Sequence, residues 1–142
     1  MALVKDKHGA NSGGLQHSAV ASGTLAVTEL GTQTDDYVVA EIPAGAVVVR
    51  GDVHVLEAFD GATKTVDVDL VDLDGANPIV VHAAADGTAP GRTVVNGAAI
   101  TGVALVTPHY LVMRCDGTDN TTGQATACLD YYVLGRADEN TG

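Results

Sequence analysis

Residues 46–59, AVVVRGDVHVLEAF, change side-chain character with a period of two, and this alternation limits what the chain can fold into more than any other feature. A helix would repeat its apolar positions every three to four residues, whereas a strand sends successive side chains to opposite faces. Laid out as a strand, one face carries Val47, Val49, Gly51, Val53, Val55 and Phe59, and the other Val48, Arg50, Asp52, His54 and Leu56. Glu57 falls on the apolar face, which predicts a bulge or an end of burial near residue 57.

The same texture continues along the chain as short apolar runs separated by turn signals. These are PAG at 43–45, DGAT at 60–63, DGANP at 74–78, DGTAPG at 86–91, NG at 96–97, TP at 107–108 and DGTDN at 116–120. Seven or eight strands are expected between them, at 37–42, 46–58, 64–71, 79–83, 92–95, 102–106, 109–115 and 126–134. Many short strands with this spacing predict an all-β protein, a single β-sandwich or jelly roll, with a barrel as second choice. Val, Ala, Thr and Gly dominate, there is no Trp, and 142 residues are enough for one self-sufficient core. Residues 1–28 lack a sustained period and hold all the serines, Ser12, Ser18 and Ser22. They are expected to form an N-terminal arm, with at most a short strand at TLAVT, ahead of a sandwich domain over 29–142.

Charge removes whole classes of partner. Eighteen acids against seven Lys and Arg leave a formal charge of -11, so nucleic acid would be repelled. Lys5, Lys7, Arg50, Lys64, Arg92, Arg114 and Arg136 are scattered singly and build no basic, aromatic-lined strip. No apolar run approaches the roughly 20 residues of a membrane-spanning helix, and the N-terminus has no signal-like apolar stretch. A soluble, unprocessed chain that binds neither nucleic acid nor membrane is therefore expected.

The stretch DVDLVDLDG, 67–75, raises the question of a calcium loop. As a strand it places Val66, Val68 and Leu70 on one face and Thr65, Asp67 and Asp69 on the other, which makes the first aspartates a wet sheet face. EF-hand spacing fails: with Asp72 and Asp74 as third and fifth ligands, Leu70 stands first and Val81 last, where a glutamate is required. A different calcium site at Asp72 and Asp74 stays open, although an Asp-Gly turn is preferred. His8, His17, His54, His82 and His109 show no zinc spacing. Cys115 and His109 share a strand face but stand about 20 Å apart in extended chain, too far for a dyad. No catalytic, metal or cofactor-binding residue is therefore expected.

RGD at 50–52 lies in an alternating strand rather than at a loop tip, which disfavours cell attachment. Cys115 and Cys128 bracket DGTDNTTGQATA, a candidate hairpin loop, so a disulfide and a pair of buried thiols both stay open. NTT at 120–122 is a glycosylation sequon in form only. The five aromatics, Tyr37, Phe59, Tyr110, Tyr131 and Tyr132, make a thin sugar-stacking platform.

The segment IPAGAVVVRGDVHVLEAFDGATKTVDVDLVD, 42–72, and the C-terminal GQATACLDYYVLGR resemble small virion proteins of tailed bacteriophages, above all head decoration, or cement, proteins. The resemblance covers about a third of the chain and rests on structural motifs; the cysteine pair and RGD depart from the pattern. It implies a non-enzymatic virion protein on the outer surface of the capsid, made in the host cytoplasm. Such a protein would be a homo-oligomer, as a trimer, that bridges subunits of the major capsid protein and stabilises the shell. A tail- or fibre-associated β-sandwich is the alternative within the virion, and a carbohydrate-binding or calcium-dependent adhesion module the alternative outside it.

Overall fold

The alternating runs are drawn into eight strands, β1 (Ala19–Ala26), β2 (Tyr37–Ile42), β3 (Ala46–Glu57), β4 (Thr65–Asp72), β5 (Ile79–Asp86), β6 (Gly91–Val94), β7 (His109–Cys115) and β8 (Gln124–Val133). A computed structural model provides this fold and describes residues 19–29, 35–95, 97, 102 and 104–133. The only helical turn among them is a short 3-10 turn, Val27–Glu29, and the described residues contain no helix long and apolar enough to cross a membrane.

Two four-stranded antiparallel sheets result, β1-β8-β3-β6 and β2-β7-β4-β5. The pairs β1·β8, β2·β7, β3·β6 and β4·β5 are the rungs of one long folded-back hairpin, and the β3·β8 and β4·β7 pairings roll it into a sandwich. Every connection except β4 to β5 passes from one sheet to the other. This is the wiring of a jelly roll.

Between the sheets lies one apolar core, with Leu25, Ile42, Val53, Phe59, Leu70, Leu111 and Leu129 all nearly inaccessible. Each such side chain contributes about 1.5–3 kcal/mol relative to exposure. Val66, Val68 and Leu70 face this core as the alternation predicts, and Asp67 and Asp69 face away. Strands 37–42 and 109–115 have the expected bounds.

Three expectations change. First, β3 carries two bulges, one between Val55 and Glu57 as expected and another between Val48 and Arg50. The second reverses the phase of the strand: Ala46 and Val48 point inward before it and Gly51, Val53 and Val55 after it. Val49, assigned to the inner face, is therefore 47% exposed. Second, residues 19–26, placed in the arm, are β1, paired with β8 from Ala19↔Tyr131 to Ala26↔Gln124. The sandwich thus begins by Ala19 rather than at 29; residues 1–18 lie outside the described residues. Third, no strand forms at 102–106 among its described residues. Gly102, at φ +86°, turns the chain, and Leu105 exchanges backbone hydrogen bonds with Gly45 and Ala46 at 2.6 and 2.9 Å without forming a strand.

The cysteines do not bracket a hairpin. β7 and β8 belong to different sheets, so the loop between them crosses the sandwich instead of folding back on one sheet. Cys115 points into the core, Cys128 sits on the far face of the other sheet opposite Ser22 and Asp52, and both are free thiols. Reducing agent should therefore leave the melting temperature of the purified protein unchanged; a fall on reduction would contradict this arrangement.

Gly51 is a close-packed point, because a Cβ there would stand 2.7 Å from the carbonyl oxygen of Cys128 and collide with Leu129. Gly51→Ala should cost about 1–3 kcal/mol in a urea unfolding experiment.

Candidate functional site

Wherever a connection leaves one sheet for the other, its backbone groups lose their ladder partners and need substitutes. At one end of the sandwich the β3–β4 loop, 58–64, and the β7–β8 loop, 116–123, provide them for each other. The Asp60 carboxylate accepts from the backbone N–H groups of Thr121 and Thr122, at 2.6 and 3.0 Å, and from the Thr121 hydroxyl. Asp119 accepts from the Ala62 N–H, and buried Asn120 accepts from the Gly61 N–H at 2.7 Å while donating to Cys115 Sγ at 3.2 Å. Phe59 fills the space beneath this clasp, its N–H bonded to the Gly87 carbonyl and its ring against Gly123, whose φ of +144° suits glycine. These hydrogen bonds hold the Asp60 carboxyl at about 2, the Thr121 hydroxyl contributing most.

A second polar network covers the outer face of the β2-β7-β4-β5 sheet. Arg114 meets Asp67 at 2.8 Å, Asp36 at 3.2 Å and Asp116 at 3.7 Å. Burial pushes the Asp67 carboxyl up, but hydrogen bonds from the Ala84 N–H, Asp116 and Arg114 outweigh it and hold it below the ordinary carboxylate range. Asp116 is pushed up by burial and by its hydrogen bond to Asp67, so within this pair Asp116 takes up a proton first. The bond from the Ala84 N–H, 2.6 Å, also steadies a left-handed residue, φ +53°, at an irregularity between β4 and β5.

On the other outer face, RGD forms part of β3. Arg50 pairs with Asp130, Asp52 pairs with Arg92 at 2.7 Å, and Gly51 points inward between them. With Val94 and Cys128 these residues line a groove of about 250 Å³, smaller than the usual small-molecule site. Burial pushes the Cys128 thiol up, and the Cys115 thiol likewise, which disfavours the reactive thiolate.

The remaining sequence candidates take structural positions. Asp72 accepts from Asn77 Nδ2 at 2.6 Å and Asp74 from the Ala76 N–H at 3.3 Å, so both carboxylates serve the turn. Among the described residues no three His, Cys, Asp or Glu side chains converge as a metal site. His109 is buried, with Nδ1 2.7 Å from the Thr107 carbonyl and Nε2 3.4 Å from Asp72. The sequon asparagine, Asn120, is only 3% exposed and unreachable in the folded protein. Phe59 and Tyr131 belong to the core or pack on it, which leaves no shared aromatic platform. His8 and His17 lie outside the described residues. The Asp60, Asp119 and Asn120 clasp was read from sequence only as turn chemistry; its signal was the Asp and Asn in two Gly-rich loops, side chains suited to accepting backbone N–H groups.

No protein-family model matches the chain, and no curated protein matches it in sequence. Solved structures do. A chain in the acidic stable capsid structure of Helicobacter pylori bacteriophage KHP30 superposes with a TM-score of 0.58 at 16% identity, covering 82% of this chain and 87% of that one. A chain in the capsid of Ralstonia phage GP4 gives 0.59 at 17%, covering 84% of both. A chain in the cyanophage Pam1 capsid asymmetric unit gives 0.54 at 19%, covering 94% of both. At such identities the likeness shows a shared fold.

Acid should probe the clasp. A carboxyl held at about 2, below its ordinary 3.8, contributes stability that is present above 3.8 and lost as pH falls toward 2. Asp69 and Asp116, pushed up by burial, act with the opposite sign, their protonation favouring the folded state. Asp60→Ala should therefore flatten the loss of stability between about pH 4 and 2 relative to the unaltered protein, measured by denaturant midpoints across that range.

Proposed function

We propose that this chain is a structural virion protein of a tailed bacteriophage, a decoration protein that binds the outer surface of the capsid and bridges subunits of the major capsid protein. The observation that carries the reading is the fold likeness to chains in three phage capsid structures, each matched over more than four-fifths of both chains. The likeness therefore concerns a whole domain of similar size rather than a shared fragment. The sequence resemblance of residues 42–72 to small virion proteins points the same way.

Two physical features support the outer surface in particular. A formal charge of -11 suits the outside of a head better than an interior filled with phosphate backbone. The described surface also offers what a non-enzymatic bridge needs, outer sheet faces whose charges pair across strands and an end clasped by its own loops. A trimer presenting this module three times, with residues 1–18 contributing further contacts, would turn several weak sites into one tight attachment.

Co-sedimentation of the purified protein with undecorated capsids of the same phage tests this directly. Saturable binding is expected, with a threefold solution mass by light scattering. Deletion of residues 1–18 should lower the affinity while leaving the melting temperature of the sandwich within a few degrees. Absence of saturable binding would overturn the capsid assignment and move the search to the tail or to a ligand outside the virion.

A further inference from the structure

The two ends of the sandwich are unlike. At the clasped end the loops satisfy one another through Asp60, Asp119 and Asn120. At the other end lie the turns 43–45 and 73–78, residues 105–108, and the described ends of the chain, Ala19 and Val133. This end carries Val106, 91% exposed and the most exposed of the large apolar side chains among the described residues. Leu73, 45% exposed, lies on the neighbouring turn. Beside Leu73 lies an open recess of about 380 Å³ lined by Asp72, Leu73, Asp74 and the two residues that follow Val106, Thr107 and Pro108.

Val106 is held out rather than left loose. Leu105, the residue before it, is buried at 8% exposure and tied through its backbone to Gly45 and Ala46. Thr107, the residue after it, accepts a hydrogen bond from the ring of buried His109. With both neighbours anchored and Pro108 following, the backbone at Val106 is held on either side. Binding then orders little that is not already ordered, which is the property of an interface anchor.

Charge selects the kind of partner. The turns 43–45 and 73–78 and residues 105–108 contain Asp74 and no Lys or Arg, and Asp72 joins it in lining the recess. A second copy docked tip to tip would bring these carboxylates together at a cost. A surface with basic side chains around an apolar hollow would bury Val106 and Leu73 while answering Asp72 and Asp74.

The geometry points to this end, with Val106 as anchor, as the docking surface for a different protein that presents an apolar recess rimmed by Lys or Arg. The inference rests on the capsid reading above and deepens it: the sandwich stands on the shell by its Val106 end, with the clasped end outward.

The test compares Val106→Asp, Leu73→Asp and, on the outer face of the β1-β8-β3-β6 sheet, Val94→Asp in binding to undecorated capsids. Val94 is 60% exposed and serves as the control for adding a charge elsewhere. Val106→Asp and Leu73→Asp should each weaken binding about tenfold or more, the loss expected when a central apolar anchor is replaced by a charge. Val94→Asp should bind like the unaltered protein, all variants should melt alike, and binding of the unaltered protein should weaken as salt is raised. If the unaltered protein binds and both tip variants bind equally well, the tip assignment falls and the capsid reading stands. If no protein binds, both fall. If the tip variants instead lower the solution mass, the surface joins copies of this chain, which overturns the basic-partner assignment.

Discussion

The clasp between residues 58–62 and 119–122 is the constraint on which the fold depends most. In a sandwich wired like this one the chain leaves a sheet at nearly every turn, and each departure strands backbone donors that a hairpin would have paired. Asp60, Asp119 and Asn120 answer those donors from the opposite loop, so the β3–β4 and β7–β8 crossings stabilise each other. The same contact closes the core, because Phe59 sits beneath it with its N–H bonded to Gly87 and its ring against Gly123. Two sheets, three loops and the largest core side chain thus meet at one place.

Charge is distributed to serve this frame rather than a catalytic centre. Arg114 gathers Asp36, Asp67 and Asp116 on one outer face, and Arg50 and Arg92 hold Asp130 and Asp52 on the other. Each of these arginines lies beside carboxylates from a neighbouring strand, which limits the repulsion that so acidic a chain would otherwise place within its sheets. The RGD tripeptide shows how misleading a short motif is without its backbone: its glycine is a packing position, and its charged residues are cross-strand partners.

Much of this was legible. The runs 37–42 and 109–115 have the bounds their apolar patterns suggest, β4 turns its valines inward and its aspartates outward, and the misplaced Glu57 marks a real bulge. Strand β1 was legible only at its end, where Thr24–Ala26 open the expected TLAVT strand; the preceding AVASG has small side chains and a glycine, and its extended form comes from pairing with β8. The bulge at Val49 was hidden because every residue from Val47 to Val49 is valine, so either phase reads as apolar. The run at 102–106 looks like a strand by composition, but Gly102 turns the chain, and among its described residues Leu105 bonds through its backbone to Gly45 and Ala46 without entering a sheet.

By itself the sequence determined the all-β class, the acidic surface and the inner face of β4, because period and composition are local properties that a single strand already displays. Only the tertiary structure decided which strands share a sheet, that Cys115 and Cys128 lie in different layers, and that Val106 stands exposed beside a buried Leu105. Those outcomes depend on which distant segment satisfies a given backbone group, as Gly61 is answered by Asn120 and Leu105 by Ala46. Alternation along one strand carries no record of its partner.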